Sequence, residues 1–256
     1  MHAVLAVTAT HDRYLSTPAT ECRAVPKTYH WSQCAALFNR KLSQPIQPQD
    51  RDPLWATAAF LSIMTFSSVE ASTPEEAWPL KTSEPSDLEW LRMSEGKMVV
   101  WNLTDPLRPG GMFRAMSEEY AQLYSPIPRA GIDGVPSALS RLCNLDVSST
   151  AENSPYFAAV HTLAQLQNLP SDQITMSRSL TFMHHMQRSF KTLLQEKDPV
   201  ALLLFALWYT KARRAVWWIE PRATVECQSI CLYLQRYHKS NSAIQESLPW
   251  KSNCVL

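Results

Sequence analysis

A chain of 256 residues, 45% hydrophobic and 10% aromatic, carries enough apolar surface for one sizeable core, in one domain or two tightly joined ones, and is not a disordered polymer. Lys and Arg number 24 against 23 Asp and Glu, a net charge of +1, which gives direct nucleic-acid binding no electrostatic footing. Glycine is scarce at 5 and proline common at 18, a mixture that suits helices joined by proline-punctuated loops better than tight hairpins.

The opening stretch, MHAVLAVTATHDRYL, has no charged leader and only a short apolar run before His11, Asp12 and Arg13, so no secretory signal is read there. It is instead the first predicted helix, 1–14, followed by 27–42. Three Xaa-Pro pairs place a capping side chain ahead of a proline: Asp52-Pro53, Ser154-Pro155 and Asp198-Pro199. They predict helices over 53–69, 155–168 and 199–213. Ser86 and Glu89 fit a capping box for a helix over 87–103, and the strand-like GKMVVWNL inside it is assigned to that helix. Further helices are expected at 111–123, 136–144, 178–196 and 221–238, with a short one near 241–247. The Pro- and Ser-rich stretches 70–86 and 124–136 read as loops. The predicted fold class is therefore all-α, a multi-helix bundle of roughly ten helices over 1–250 with no substantial β-sheet, and a short tail at 251–256.

The densest segment is WYTKARRAVWWIEPRATVECQSICLYL, from Trp208 to Leu234. Residues 200–209 before its basic run are apolar on every side and half the ~20 residues that span a bilayer, so they predict a helix at the centre of a core, with no membrane span. Lys211, Arg213 and Arg214 offset the negative end of that helix dipole. Trp217 and Trp218 fall at the corner before Glu220-Pro221, where a second helix starts. Its core face carries Ala223, Cys227, Ile230, Cys231 and Leu234. Cys227 and Cys231 share a face, but His238 lies ~10 Å further along the axis, too far for one zinc ion to take all three. His30 and Cys34 form another such pair with no visible partner in sequence. The six cysteines, at 22, 34, 143, 227, 231 and 254, are expected mostly as small buried hydrophobes in a reduced intracellular protein, and Cys254 is one residue too close to the end for prenylation. No metal and no cofactor is predicted.

Motifs of catalysis are missing: no G-x-S-x-G elbow, no glycine-rich phosphate loop and no H-E-x-x-H. His184 and His185, adjacent on a helix, point ~100° apart and do not easily share a ligand. No catalytic residue is assigned.

Four stretches in order resemble the C-terminal regulatory domain of fungal zinc-cluster transcription factors, the sterol uptake control proteins among them. They are MHAVLAVTATH, DLEWLRMSEGKMVV, DPVALLLFALWYTKARRAVWWIEPRATVECQSICLYLQRY and IQESLPW. The third, Asp198 to Tyr237, is the most specific. The resemblance implies an all-helical sensor whose hydrophobic pocket binds a sterol and thereby controls nuclear import and promoter activation. The family's six-cysteine DNA-binding cluster has no counterpart in this sequence, and Met1 falls inside what resembles the first regulatory helix.

The expected function is thus a transcription-regulating domain that binds a lipophilic, sterol-like molecule and does not itself contact DNA. The expected pocket residues are Phe182, Met183, Met186, Phe205, Trp208, Tyr209, Trp217 and Trp218, with Tyr209 or His184 orienting a hydroxyl. Expected protein partners are a second copy or a full-length zinc-cluster transcription factor, in the nucleus, the cytoplasm or both. The alternative is a small cyclase or isomerase of fungal natural products on the same scaffold, with His161, His184, His185 or Glu226 as acid or base.

Overall fold

Twelve α-helices are joined by loops and short 3-10 turns in the computed structural model, which describes residues 1–16 and 24–250. The expected tail at 251–256, Cys22 and Cys254 lie outside the described residues. Among the described residues the one β feature is an isolated antiparallel bridge between Ala130 and Thr150, so the fold is all-α. The helices fall into two compact units, one of residues 1–69 and 88–118 and the other of 70–87 and 119–256.

The first unit contains α1 (His2–Leu15), α2 (Ala24–Leu42), α3 (Arg51–Ser67) and α4 (Glu89–Thr104). Ala3 and Ala6 of α1 pack with Cys34 of α2 and with Leu61 and Met64 of α3 in one buried cluster. A second cluster joins Leu54 and Ala58 of α3 to Val100 of α4. Edge-on aromatic pairs, Trp55 with Trp101 and Phe66 with Trp90, each 4.9 Å between centroids, complete the α3–α4 contact.

The second unit begins with α5 (Ser117–Leu123), which starts at the unit boundary. It continues with α6 (Ser137–Leu142), α7 (Phe157–Gln167), α8 (Met176–His184), α9 (Arg188–Gln195), α10 (Pro199–Ala215), α11 (Glu220–Tyr237) and α12 (Ser242–Ser247). The helix that reads as apolar all round, α10, is the axis of the core: residues 201–206, Trp208 and Tyr209 are all 0% exposed. The Asp198 carboxylate caps it as expected, accepting from the N–H groups of Val200 at 3.0 Å and Ala201 at 2.8 Å. A cap of this kind contributes about 1 kcal/mol. The Tyr156 hydroxyl donates to the same oxygen at 2.9 Å. Against α11, the Ser229 hydroxyl donates to the Ala77 carbonyl and accepts from the Leu80 N–H, which ties the loop 70–87 to the core.

Four local expectations need correction. Asp52 does not cap α3, which starts one residue earlier, at Arg51. Its carboxylate instead accepts from the Met112 N–H at 3.0 Å and from Arg108 at 2.9 Å, and these bonds hold it below the usual carboxylate range. Ser154 does not cap α7; Pro155 and Tyr156 form a turn and the helix starts at Phe157. The Ser86–Glu89 capping box is absent, because residues 85–88 form a turn in which the Asp87 carboxylate takes the Glu84 N–H and pairs with Lys81. The single helix expected over 178–196 is two, α8 and α9, separated by residues 185–187. There Gln187 turns extended (φ −72°, ψ 161°) and His185 Nε2 bonds the Ser125 carbonyl at 3.0 Å.

Candidate ligand-binding site

In the second unit, α8 and α10 bring the aromatic residues named from the sequence together. Phe182 and Trp208 lie nearly parallel, 5.4 Å apart at 13°, and Phe205 and Trp208 do the same at 5.4 Å and 18°. Tyr209 closes on Phe205 at 4.4 Å, and Phe190 of α9 meets Phe182 edge-on at 6.0 Å. The indole N–H of Trp208 donates to the Ser179 carbonyl at 2.8 Å, so its polar atom is satisfied inside the core. Met186 is buried, while Met183 at the end of α8 is half-buried. Trp217 and Trp218 do occupy the corner between α10 and α11, Trp218 buried and Trp217 half-buried. Phe182, Phe205, Trp208 and Tyr209 thus form a stack in direct ring contact.

One turn into α11, a buried polar triad borders this stack. The Tyr209 hydroxyl donates to one Glu226 oxygen at 2.7 Å, and Arg222 pairs with the other. All three side chains are buried, Arg222 at 8% exposure being the most open. Burial, with the Glu226 charge beside it, pushes the Tyr209 phenol well above its usual value. A charge pair buried this deep depends on the hydrogen bonds its partners make, here to one another and from Tyr209 to Glu226.

The second unit also contains an open cavity of about 310 Å³ between α7, α8 and the loop after α5. Pro126, Leu166 and Leu169 supply its apolar wall, and Thr162, Gln165, Thr181 and Arg178 its polar one. The threonine hydroxyls are spent as donors, Thr162 on Ala158 and Thr181 on Gln122, which leaves them lone pairs to offer. Arg178 gives one of its N–H groups to the Gln173 carbonyl and is the one cation of the lining. None of the eight residues expected from the sequence lines this cavity, but Thr181 and Phe182 are neighbours on α8. That helix therefore presents one face to the cavity and another to the aromatic stack. The lining comes from three segments with no common period, so the sequence carries no signal for it.

The acid–base candidates of the enzyme reading each hold structure. His161 Nε2 bonds the Gly131 carbonyl at 3.1 Å, and His185 Nε2 the Ser125 carbonyl. Since a carbonyl only accepts, Nε2 carries the proton in both. His184 sits edge-on to Tyr124, with 4.4 Å between centroids. All three histidines anchor the loop 124–136. Burial pulls the His161 pKa below its usual 6.5, with the Gly131 carbonyl and Asp133 opposing. The unfolded chain therefore takes up this proton at a higher pH than the folded one. His161 supports folding fully above about pH 6.5, and that support fades as the pH falls towards the folded value. Urea unfolding between pH 7.5 and 5.5 is expected to show a steeper loss of stability in the wild type than in His161→Gln.

Cys34, Cys143, Cys227 and Cys231 are all buried free thiols, and Cys227 Sγ reaches the Ala206 carbonyl at 3.7 Å. Among the described residues, no group of three or more His, Cys, Asp or Glu is placed to hold a metal ion, and no helix is long and apolar enough to cross a membrane. No known family, curated protein or solved structure matches the chain.

Proposed function

We propose that the chain is a ligand-sensing regulatory domain of the fungal zinc-cluster transcription-factor type, and that its ligand is a lipophilic molecule with one oxygen function, sterol-like in class. The cavity beside α8 carries this reading. At about 310 Å³ it lies at the lower end of small-molecule pockets. It takes the hydroxyl-bearing end of a sterol, or the whole of a shorter isoprenoid alcohol. Leu166, Leu169 and Pro126 supply burial at ~25 cal/mol per Å² of apolar area, and Arg178 donates to the ligand oxygen.

The most specific part of the resemblance, Asp198 to Tyr237, coincides with α10 and α11, the core that α8 packs against. A ligand held against one face of α8 biases how its other face seats on Trp208, and so shifts the population between two helix packings. The surface changed in this way is read by a protein partner, a second copy or a full-length relative, in transcriptional control, in the nucleus, the cytoplasm or both.

Ergosterol and farnesol are expected to raise the melting temperature of the purified chain. A ligand at a hundredfold excess over Kd contributes about 2.7 kcal/mol. Leu169→Asp, at a half-exposed cavity position, is expected to abolish the shift without unfolding the protein. A flat response to sterols and isoprenoids alike contradicts the reading.

A further inference from the structure

The first unit holds a feature that the proposed function does not use. His2, in the first turn of α1, and His30 of α2 face one another with their Nδ1 atoms 2.9 Å apart. Their ring centroids are 5.0 Å apart, so the nitrogen ends are the near ends. Both rings are half-buried, hence still reachable from solvent. The Tyr29 ring lies edge-on to each, 6.0 Å from His2 and 5.2 Å from His30. Ala3 and Ala6 of α1 pack with Cys34 of α2 one turn along from His30, which sets the spacing of the two helices and with it the spacing of the imidazoles.

We propose that His2 and His30 are a two-histidine clamp for a late first-row divalent cation, with Cu²⁺ the preferred ion and Ni²⁺ and Zn²⁺ weaker. Two neutral imidazole nitrogens at 2.9 Å share a single proton: one Nδ1 donates it and the other aims a lone pair at it. A metal ion bound by both Nδ1 atoms, beside the line that joins them, takes the place of that proton, which moves to Nε2 of its ring. With metal–nitrogen bonds of about 2.0–2.1 Å, nitrogens at right angles around the ion stand about 2.9 Å apart, and in a tetrahedron about 3.3 Å. The observed spacing matches the right-angled case, which is the preference of tetragonal Cu²⁺ and Ni²⁺. Imidazole affinity rises towards Cu²⁺ along the same series. Among the described residues no third His, Cys, Asp or Glu joins the pair, so water completes the coordination. The displaced proton is held again at Nε2 of the same ring, so both imidazoles stay neutral and binding releases no net proton where both begin neutral. Because the ligands come from α1 and α2, the ion cross-links the two helices.

The test is titration of the full chain with Cu²⁺ alone, read by electron paramagnetic resonance and by thermal melting, with the His2→Gln, His30→Gln and His11→Gln variants alongside. The wild type is expected to take one Cu²⁺ with two imidazole nitrogens in its coordination, to release no net proton at a pH where both rings are neutral, and to melt higher with the ion. His2→Gln and His30→Gln each weaken binding at least tenfold, and His11→Gln, further along α1, binds as the wild type does. Circular dichroism of the ion-free variants keeps a lost helix pair from passing as a lost ligand. Binding unchanged in His2→Gln and His30→Gln, or weakened in only one of them, overturns the proposal, as does equal weakening in His11→Gln.

Discussion

Trp208→Ala is expected to destabilise the protein by about 4 kcal/mol, the range for removing a large aromatic from a packed core. Urea-induced unfolding followed by circular dichroism measures it. The indole is 0% exposed, flanked by two nearly parallel rings at 5.4 Å, and bonded at its nitrogen to the Ser179 carbonyl. Truncation removes the burial term, the ring contacts and that bond together, and the flanking Phe182 and Phe205 rings sit on different helices and do not close the void freely. Trp208→Phe keeps most of the stacking and loses the hydrogen bond, so it costs clearly less. A loss below about 1.5 kcal/mol for Trp208→Ala, well under the usual range for such a truncation, means that the stack is not the centre of this core.

The second large effect falls on the triad. Glu226→Ala leaves the Arg222 guanidinium buried without its carboxylate and the Tyr209 hydroxyl without its acceptor. Breaking a buried pair in this way costs about 3–5 kcal/mol, because the surviving charge has lost its compensation. Tyr209→Phe costs only about 1 kcal/mol, since Glu226 keeps Arg222. Replacing both charges at once, Arg222→Met with Glu226→Leu, is expected to recover most of the loss. Equilibrium unfolding of the three variants separates these cases. A double variant as unstable as Glu226→Ala contradicts the assignment of the penalty to an unpaired charge.

Periodicity made the fold class and nearly every helix legible, because few glycines interrupt the pattern and α10 carries no polar residue between Val200 and Trp208. Asp198 was readable as a cap because its partners are its own next residues. Asp52 and Ser86 fit the same local rule and were misread. The Asp52 carboxylate is claimed by Arg108 and Met112, more than fifty residues on, and the turn before α4 is organised by Asp87 rather than Ser86. The break between α8 and α9 has no glycine or proline to announce it; it is fixed from outside, by the bond from His185 to Ser125.

The candidate site residues divide along the same line. Trp208, Phe205 and Phe182 were identifiable as a cluster because helical spacing puts each on an apolar face. That the Phe182 ring lies flat on Trp208 depends on how α8 crosses α10, which no local pattern encodes. The cavity draws its lining from α7, α8 and a loop, and its threonines and glutamine look like ordinary helix-surface residues in sequence. His30 was visible as a member of a pair with Cys34, whereas its actual neighbour, His2, stands 28 residues away.

The proposed function requires that a lipophilic molecule seat between α7 and α8. The most direct measurement is a methyl NMR titration of the chain, labelled at leucine and threonine methyls, with ergosterol. Saturable shifts are predicted at Leu166, Leu169, Thr162 and Thr181, with smaller ones at Leu203 and Leu204, which precede Phe205 on α10. A spectrum that ergosterol and farnesol leave unchanged, or shifts confined to methyls away from α7 and α8, contradicts it.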